Sequence, residues 1–304
     1  MKRVAIVIPV LGAMLGMCAG SFGQGSSKPA EQNPPAAQST QPAQAAGQPA
    51  GQAAAPAGKR PPKVNSQEEF AAYKAAAALT DPPAVEKAAD DFAAKYPDSE
   101  LRPLLYRSAM QRYQMANNAD KMLEMGKKIL AIDPDDPEAL VATAQVLAER
   151  TRDTDLDRDQ RLAEARKDAE RSLLTVETDI PTSGYPPEQL ASYKGYLRSE
   201  AYAVLGKLSS DAKNWTDAES ELRKSIDAFP QQVDSIAVLR LAVALDMQNK
   251  IPEALKYADQ AVELTKDRPD SGAGKAARDE KDRLSKLNVG AAPGPAQTAT
   301  PPKN

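Results

Sequence analysis

The chain has 304 residues, of which 41% are hydrophobic and 5% aromatic, with 25 prolines and 16 glycines. It has no histidine, and its one cysteine is Cys18, so zinc sites, iron–sulfur clusters and Ser-His-Asp or Cys-His catalytic groups lack the residues they need. Residues 64–302 carry 32 Lys and Arg against 41 Asp and Glu, a net charge of −9. This balance argues against a nucleic-acid partner, because such surfaces need clustered cations.

Residues 1–23 have the features of an export signal peptide. Two cations begin the segment, and the uncharged stretch 4–19 follows. As a helix, that stretch would span about 24 Å, which is less than the ~30 Å hydrocarbon core of a membrane. We therefore expect cleavage after Gly20 or Gly23, an exported periplasmic or extracellular protein, and no membrane span in the mature chain.

Two alternatives for this segment remain open. Leu15-Gly16-Met17-Cys18 resembles the lipobox of bacterial lipoproteins, which would tether the protein to a membrane through an acylated Cys18. Met17 departs from the small residue that this motif has before its cysteine. The segment could also remain as an uncleaved anchor.

The composition changes between residues 24 and 63, where 30 of 40 residues are Ala, Pro, Gln or Gly. Such a segment cannot bury enough apolar surface to offset the entropy cost of ordering it. We predict a disordered linker over 24–63 and, from similar composition, a disordered tail over 290–304.

The body of the chain, 64–289, repeats with a period of 34 residues. Two units are clear, at 199–232 and 235–268. In the first, positions 4, 7, 8, 20 and 32 are Tyr202, Leu205, Gly206, Ala218 and Pro230; in the second, positions 7, 8, 20, 24, 27 and 28 are Leu241, Ala242, Ala254, Ala258, Ala261 and Val262.

This pattern resembles the tetratricopeptide repeat family. The resemblance implies an all-α, right-handed superhelical solenoid of helical hairpins, in which small residues allow close helix packing. We expect five hairpins, three of them degenerate; in one, Met110 and Met122 replace the small residues at positions 8 and 20. A charged helix over 275–287 would cap the stack.

The resemblance also implies a binding groove lined by the first helix of each hairpin. The residues at its lining positions that we predict to contact a partner are Arg107, Gln111, Gln114, Gln145, Lys207, Ile236, Leu239, Val243 and Met247. Leu104, Glu138, Val141, Glu200, Ala203 and Ser210 occupy further lining positions. The lysine and asparagine set with which chaperone adaptors grip carboxylate tails is absent from these positions.

Apolar residues surround the helix predicted from Ile236 to Leu245, so it must be covered on more than one side. Either the C-terminal cap folds over it, or its groove side is an exposed patch for a partner's helix or extended peptide, with Met247 as an adaptable contact.

One acidic segment resembles a calcium-binding EF-hand loop. Asp153, Asp155, Asp157 and Glu164 stand at positions 1, 3, 5 and 12 of that motif, but Arg158 replaces its turn glycine. The other interpretation is a turn between helices, with Asp157 or Asp159 capping the second helix.

The sequence favours a non-catalytic protein-interaction scaffold that needs no cofactor. Units ending in Tyr96-Pro97-Asp98-Ser99 resemble those of cell-envelope assembly and division factors, which suggests a protein or peptide partner in the bacterial cell envelope. Two alternatives are a wall-cleaving enzyme acting through carboxylates, or an accessory of one, and a calcium-stabilised structural spacer.

Overall fold

The computed structural model of the protein describes residues 58–181 and 186–290, without the side chains of 288–290. The predicted signal peptide, most of the predicted linker and nearly all of the predicted tail lie outside these ranges. The described residues contain no strand. Their α-helices are α1 (Gln67–Ala77), α2 (Pro82–Lys95), α3 (Arg102–Met115), α4 (Ala119–Ile132), α5 (Pro137–Arg150), α6 (Arg158–Thr175), α7 (Pro187–Asp211), α8 (Trp215–Ala228), α9 (Ser235–Asp246), α10 (Ile251–Leu264) and α11 (Gly272–Gly290).

The helices pack in chain order. The first ten form five hairpins, α1 with α2 through α9 with α10, and each second helix also packs against the first helix of the next hairpin. α11 packs on α10 and α9. The predicted all-α stack of five hairpins with a capping helix is confirmed, while the right-handed sense of the superhelix stays a prediction.

Polar side chains fix where several helices begin. Asp81, Asn118 and Asn214 accept a hydrogen bond from the backbone N–H three residues further on, at the start of α2, α4 and α8. Asp136 and Asp234 cap α5 and α9 in a similar way. Because the first N–H groups of a helix have no partner within it, each cap stabilises its helix by about 1 kcal/mol.

The turns inside three hairpins share one backbone conformation. Asn117, Lys213 and Asn249 have φ angles of 56°, 58° and 61°, which lie in the left-handed region that L-residues rarely adopt. Each stands one residue before the N-cap of its second helix. Asparagine tolerates this conformation better than lysine does, so Lys213 is the strained member of the set.

Small residues let paired helices approach closely, as the repeat predicts. A Cβ atom on Gly206 would lie 2.6 Å from Cγ of Leu222 on α8. Met110 and Met122, which stand where small residues are expected, are both buried. At Gly126 of α4, a Cβ would lie 2.6 Å from Cγ2 of Thr143 on α5, so this glycine lets α4 approach α5 closely. Met110 and Met122 themselves are accommodated in the apolar cluster that α1 to α5 share.

The capping helix covers one side of α9. Ala277 and Leu284 of α11 are fully buried, Leu284 in the same cluster as Leu245. Arg283 of α11 also pairs with Asp246 at the end of α9 over 2.5 Å. This cover accounts for the apolar residues on that side of α9, and Leu239 packs partly against the cluster that contains Ala277.

The folded body begins before the predicted boundary at residue 64. Lys59 and Arg60, which the sequence assigns to the linker, make ion pairs with Asp133 and Glu100. We call residues 58–66 the strap. It lies against the loops that connect one hairpin to the next, whereas the linker over 24–63 stays a prediction.

Candidate partner-binding face

The first helices of the hairpins form one layer. α1 packs on α3, α5 on α7, α7 on α9, and α9 on α11, whereas no pair of second helices makes contacts of this extent among the described residues. In a curved stack, the helices on the concave side lie closer together than those on the convex side. The first helices therefore form the concave, inner side of the stack. We call the exposed surface of α3, α5, α7 and α9 the inner face.

A polar network occupies the inner face at the second, third and fourth hairpins. Arg107 of α3 pairs with Asp136, and its Nε lies 3.0 Å from Oε2 of Glu138 on α5. Gln111 of α3 donates to Glu138 over 2.8 Å, and the hydroxyl of Tyr193 on α7 donates to the same carboxylate over 2.6 Å. Arg107 and Gln111, predicted as partner contacts, are thus engaged within the chain.

The surroundings of this network raise the pKa of two of its groups, Arg107 and Tyr193. Burial alone would lower the pKa of Arg107, but the carboxylates of Asp136 and Glu138 outweigh it and raise that pKa above its ordinary value. Burial, together with the charge of Glu138, raises the pKa of Tyr193 well above its usual range. The network thus ties α3, α5 and α7 together through two carboxylates, with Nε of Arg107 paired to Glu138 by charge but without a well-aligned hydrogen bond.

Further polar contacts join α5, α7 and α9. Gln145 of α5 donates to Glu200 of α7. Lys207 pairs with Asp211 one turn further along α7, over 2.5 Å. Arg240 of α9 reaches past α7 to Glu149 of α5, with 2.9 Å between Nη2 and Oε1. Gln145 and Lys207, also predicted to contact a partner, therefore have partners inside the protein.

The groove is also shallower than the repeat pattern implies. Val141 of α5 is only 4% exposed, since it lies in an apolar cluster with Val176, Ile180 and Leu197. The cluster includes Leu190 and Tyr193 from the first two turns of α7. The prediction that Val141 lines an open groove is wrong, because α7 begins about three turns earlier than pairing with α8 requires and covers the start of α5. Ala203 of α7 is likewise buried.

An apolar strip remains partly exposed on α9. Ile236, Leu239 and Val243 are half-buried, and Met247, directly after the helix, is 53% exposed. The spacing of three, four and four residues places them along one side of the helix. We call these four residues the α9 strip. Leu239 packs against the cluster that contains Ala277 of α11, so the capping helix covers α9 in part and leaves the strip partly exposed. Gln114, at the end of α3, is exposed as well.

The acidic turn between α5 and α6 does not gather its carboxylates. Arg158 pairs with Asp153 over 3.1 Å and with Asp159 over 3.0 Å. Oδ2 of Asp155 accepts the backbone N–H of Arg152, and Glu164 pairs with Lys127 of α4. Asp157 stands at the N-cap of α6 but makes no side-chain cap bond. No group of three or more acidic side chains placed for a metal ion occurs in the described part of the chain.

Two pairs of adjacent acidic residues, Asp90-Asp91 and Asp135-Asp136, have partners within the chain. Asp90 accepts from Tyr106 over 2.9 Å and pairs with Lys128, and Asp135 pairs with Arg171. Burial raises the pKa of Asp168, against the opposing hydrogen bond from Thr143. A glycosidase needs one such acid facing a second carboxylate across a cleft. The carboxylate that acts on Asp168, Glu164, lies one turn away on the same helix.

A cavity of about 360 Å³ lies between α1 and α2 at the first hairpin. Alanines and aromatic side chains line most of it, and Asp91 is the one carboxylate in its wall. A single exposed acid in an apolar depression does not form the facing pair that wall cleavage requires.

Sequence reasoning missed several residues of the inner face. Tyr193 and Arg240 take part in its contacts but fall outside the lining positions that the repeat pattern marks, and Glu149, at the same position in its hairpin as Met247, was not among the residues predicted. The unusual length of the helix after Pro187 was the available signal for Tyr193. The contact of Arg240 with Glu149 depends on how strongly the stack curves, and no sequence pattern reports that curvature.

No family model and no curated protein sequence matches the chain. Among solved structures, it is similar to the assembly chaperone of RpL4 (Acl4, residues 1–338) at 14% sequence identity, over 74% of this chain and 99% of that chain, with a TM-score of 0.37. A similarity this loose carries no functional conclusion, and the helical-repeat fold rests on the hairpins described above. None of the helices in the described ranges has the length and apolar character needed to cross a bilayer.

Proposed function

We propose that the protein is a non-catalytic binding platform that captures a segment of another protein on its inner face. One observation carries the proposal: the α9 strip leaves four apolar side chains accessible on a face whose polar side chains bond mainly to one another. Covering apolar side chains with a partner is favourable because it removes them from water. Polar side chains that already bond to one another gain little from a partner, because their hydrogen bonds are already made. The strip is therefore where a partner would gain most.

The geometry suits a short amphipathic segment. The strip spans the twelve residues 236–247, or about 16 Å along the axis of α9 and its C-cap. A partner helix with apolar residues three and four apart, or an extended peptide with alternate apolar residues, matches that length. Met247 can adapt to different side chains because its thioether chain is unbranched. Arg240 and Lys207, already paired, would border the site and select orientation.

We propose further that this binding takes place in the bacterial cell envelope. The predicted signal peptide and the proline-rich linker support this location, and the linker would set how far the platform reaches. A partner that cleaves the wall would make the protein an accessory of such an enzyme. Identification of the partner decides this.

The proposal is tested by placing a charge in the strip. Val243→Glu and Met247→Glu put a carboxylate on the inner face, while Leu174→Glu makes the same kind of change at a residue of α6 that is 70% exposed. The measurement is quantitative mass spectrometry of envelope proteins that the full chain retains. We expect the two strip variants to lose the same proteins and Leu174→Glu to keep them. Equal retention by all three variants would contradict the proposal.

A further inference from the structure

The strap is anchored firmly at its carboxyl end. The backbone N–H groups of Asn65 and Ser66 donate to Oε2 of Glu69 over 2.5 and 3.2 Å. The hydroxyl of Ser66 accepts the N–H of Glu69 in return, which completes a capping box at the start of α1. Glu69 is buried. Residues 65 and 66 thus belong to the first hairpin.

The middle of the strap is held by one carboxylate. Arg60 grips Glu100 with two parallel bonds, Nη1 to Oε2 over 2.7 Å and Nη2 to Oε1 over 2.6 Å. The backbone N–H of Lys63 donates to the same Oε2 over 2.9 Å. Glu100 lies in the loop between the first and second hairpins. Its three bonds and the charge of Arg60 lower its pKa to about 2.

The first part of the strap reaches two further loops. Nζ of Lys59 lies 2.6 Å from Oδ2 of Asp133, in the loop between the second and third hairpins. It also lies 3.8 Å from Oδ1 of Asp179, in the loop between the third and fourth. Lys59 and Arg60 therefore bridge three successive loops on one edge of the stack.

We propose that ion pairs hold the strap reversibly against the hairpin loops. While they are formed, residue 58 lies beside the third hairpin instead of near the start of α1. Arg60 and Glu100 are 66% and 41% exposed, and Lys59 is 36% exposed. Ion pairs with this exposure are weak singly and are screened by salt. The capping box is local and partly buried, so it outlasts them.

Release changes the reach of the chain that precedes the strap. Between residues 59 and 66 the chain can extend by about 25 Å. When the strap is bound, the preceding chain is attached to the folded body beside Asp133 and Asp179, and residues 59–66 add nothing to its reach. When the strap is released, the attachment point moves to the start of α1 and residues 59–66 extend that reach. The effective concentration of the platform near whatever holds its amino-terminal segment changes accordingly. This inference does not depend on the partner or on the α9 strip.

Distance measurement between two spin labels tests the inference on the full chain. Labels at Gly58→Cys and Leu174→Cys, in a Cys18→Ser background, report how close the strap lies to the end of α6. We expect one narrow distribution, which becomes broad and up to about 25 Å longer in Lys59→Glu/Arg60→Glu. The same change is expected for the unaltered strap in about 1 M NaCl, where the screening length falls to about 3 Å.

Two controls separate electrostatic release from other effects. Lys28→Glu changes charge upstream of the strap and is expected to leave the distribution narrow. Arg60→Glu combined with Glu100→Arg restores the pair with reversed polarity and is expected to narrow the distribution again. A broad distribution in the unaltered strap would overturn the fastening. A narrow one that persists through charge reversal and high salt would overturn its electrostatic release.

Trypsin gives an independent reading, since the Lys63–Val64 bond is present in every variant. We expect cleavage after Lys63 to be slow in the unaltered protein and at least about tenfold faster in Lys59→Glu/Arg60→Glu, because a protease needs an open backbone. Equal rates in the two proteins, with α1 intact by circular dichroism, would contradict the fastening.

Discussion

Arg240 and Glu149 are 91 residues apart in the chain and belong to the fifth and third hairpins, yet their side chains meet at 2.9 Å. The contact passes over α7, which lies between them. Hairpins that are not neighbours can touch only if the inner layer is tightly curved. The inner face is therefore a narrow surface crossed by polar bridges, with the α9 strip beside them.

This ion pair is expected to couple the third and fifth hairpins. Arg240→Ala and Glu149→Ala should each destabilise the protein slightly, and a double-mutant cycle should give a coupling of about 0.5–1 kcal/mol, because both side chains are partly exposed. Urea unfolding of the four proteins measures it. Strictly additive effects would show that the two side chains do not interact in solution.

Gly206 is expected to resist enlargement. Gly206→Ala gains about 1 kcal/mol of helix propensity, but its new Cβ would lie 2.6 Å from Cγ of Leu222, so overpacking should give a net loss of about 1–2 kcal/mol. Thermal unfolding measures the change. Leu222→Ala removes the obstacle, and in that background Gly206→Ala should be neutral or stabilising. A loss of the same size in both backgrounds would exclude this explanation.

Lys213 offers a site for stabilisation. Its φ of 58° strains a residue with a side chain, so Lys213→Gly should raise the free energy of unfolding by about 0.5–1 kcal/mol. Asn117→Gly, in the equivalent turn of the second hairpin, is the matched control and should gain less, because asparagine tolerates this conformation. Chemical denaturation compares the two. A destabilised Lys213→Gly protein would refute the assignment of strain.

The fastened strap should open in acid. The pKa of Glu100 is lowered to about 2, whereas an unpaired glutamate titrates near about 4.3. Because the folded pKa is depressed, the contribution of Glu100 is complete above that ordinary value and is lost as the pH falls toward 2. Carbon-detected NMR of the Glu100 carboxyl should give its low pKa, and Arg60→Ala should return it most of the way to normal. A normal value in the unaltered protein would contradict the pairing.

Calcium is expected to leave the stability unchanged. The carboxylates of the turn between α5 and α6 bond to Arg158, to Lys127 and to the backbone instead of converging. Millimolar calcium should therefore not raise the melting temperature, and Asp155→Ala should respond to calcium as the unaltered protein does. A rise in melting temperature that Asp155→Ala abolishes would favour the calcium-stabilised spacer.

The helical repeat was predictable because its causes are local. Positions 8 and 20 need small side chains wherever two helices cross closely, and Gly206 and Ala218 record that requirement in the sequence. The turns record theirs in the asparagines that accept positive φ or cap the next helix. The degenerate second hairpin keeps a small residue where α4 meets α5, since a Cβ on Gly126 would lie 2.6 Å from Cγ2 of Thr143.

The candidate site was less predictable because the state of its side chains depends on which partners they meet, most of them on other helices. Arg107, Gln111, Gln145 and Lys207 occupy the expected positions, but whether they are available depends on Asp136, Glu138, Glu200 and Asp211. The composition of residues 59–63 likewise resembles that of the linker before it. Only the acidic loops around Asp133 and Glu100 distinguish the strap from that linker.

Site-specific photo-crosslinking along α9 tests the central claim most directly. A photoreactive residue placed singly at Ile236, Leu239, Val243 and Met247, and for comparison at Leu174 on the outer side, is activated in cells that carry the full chain. The account predicts that the α9 positions capture one and the same protein and that Leu174 does not. Capture at Leu174 equal to that at the α9 positions, or different proteins at each α9 position, would contradict it.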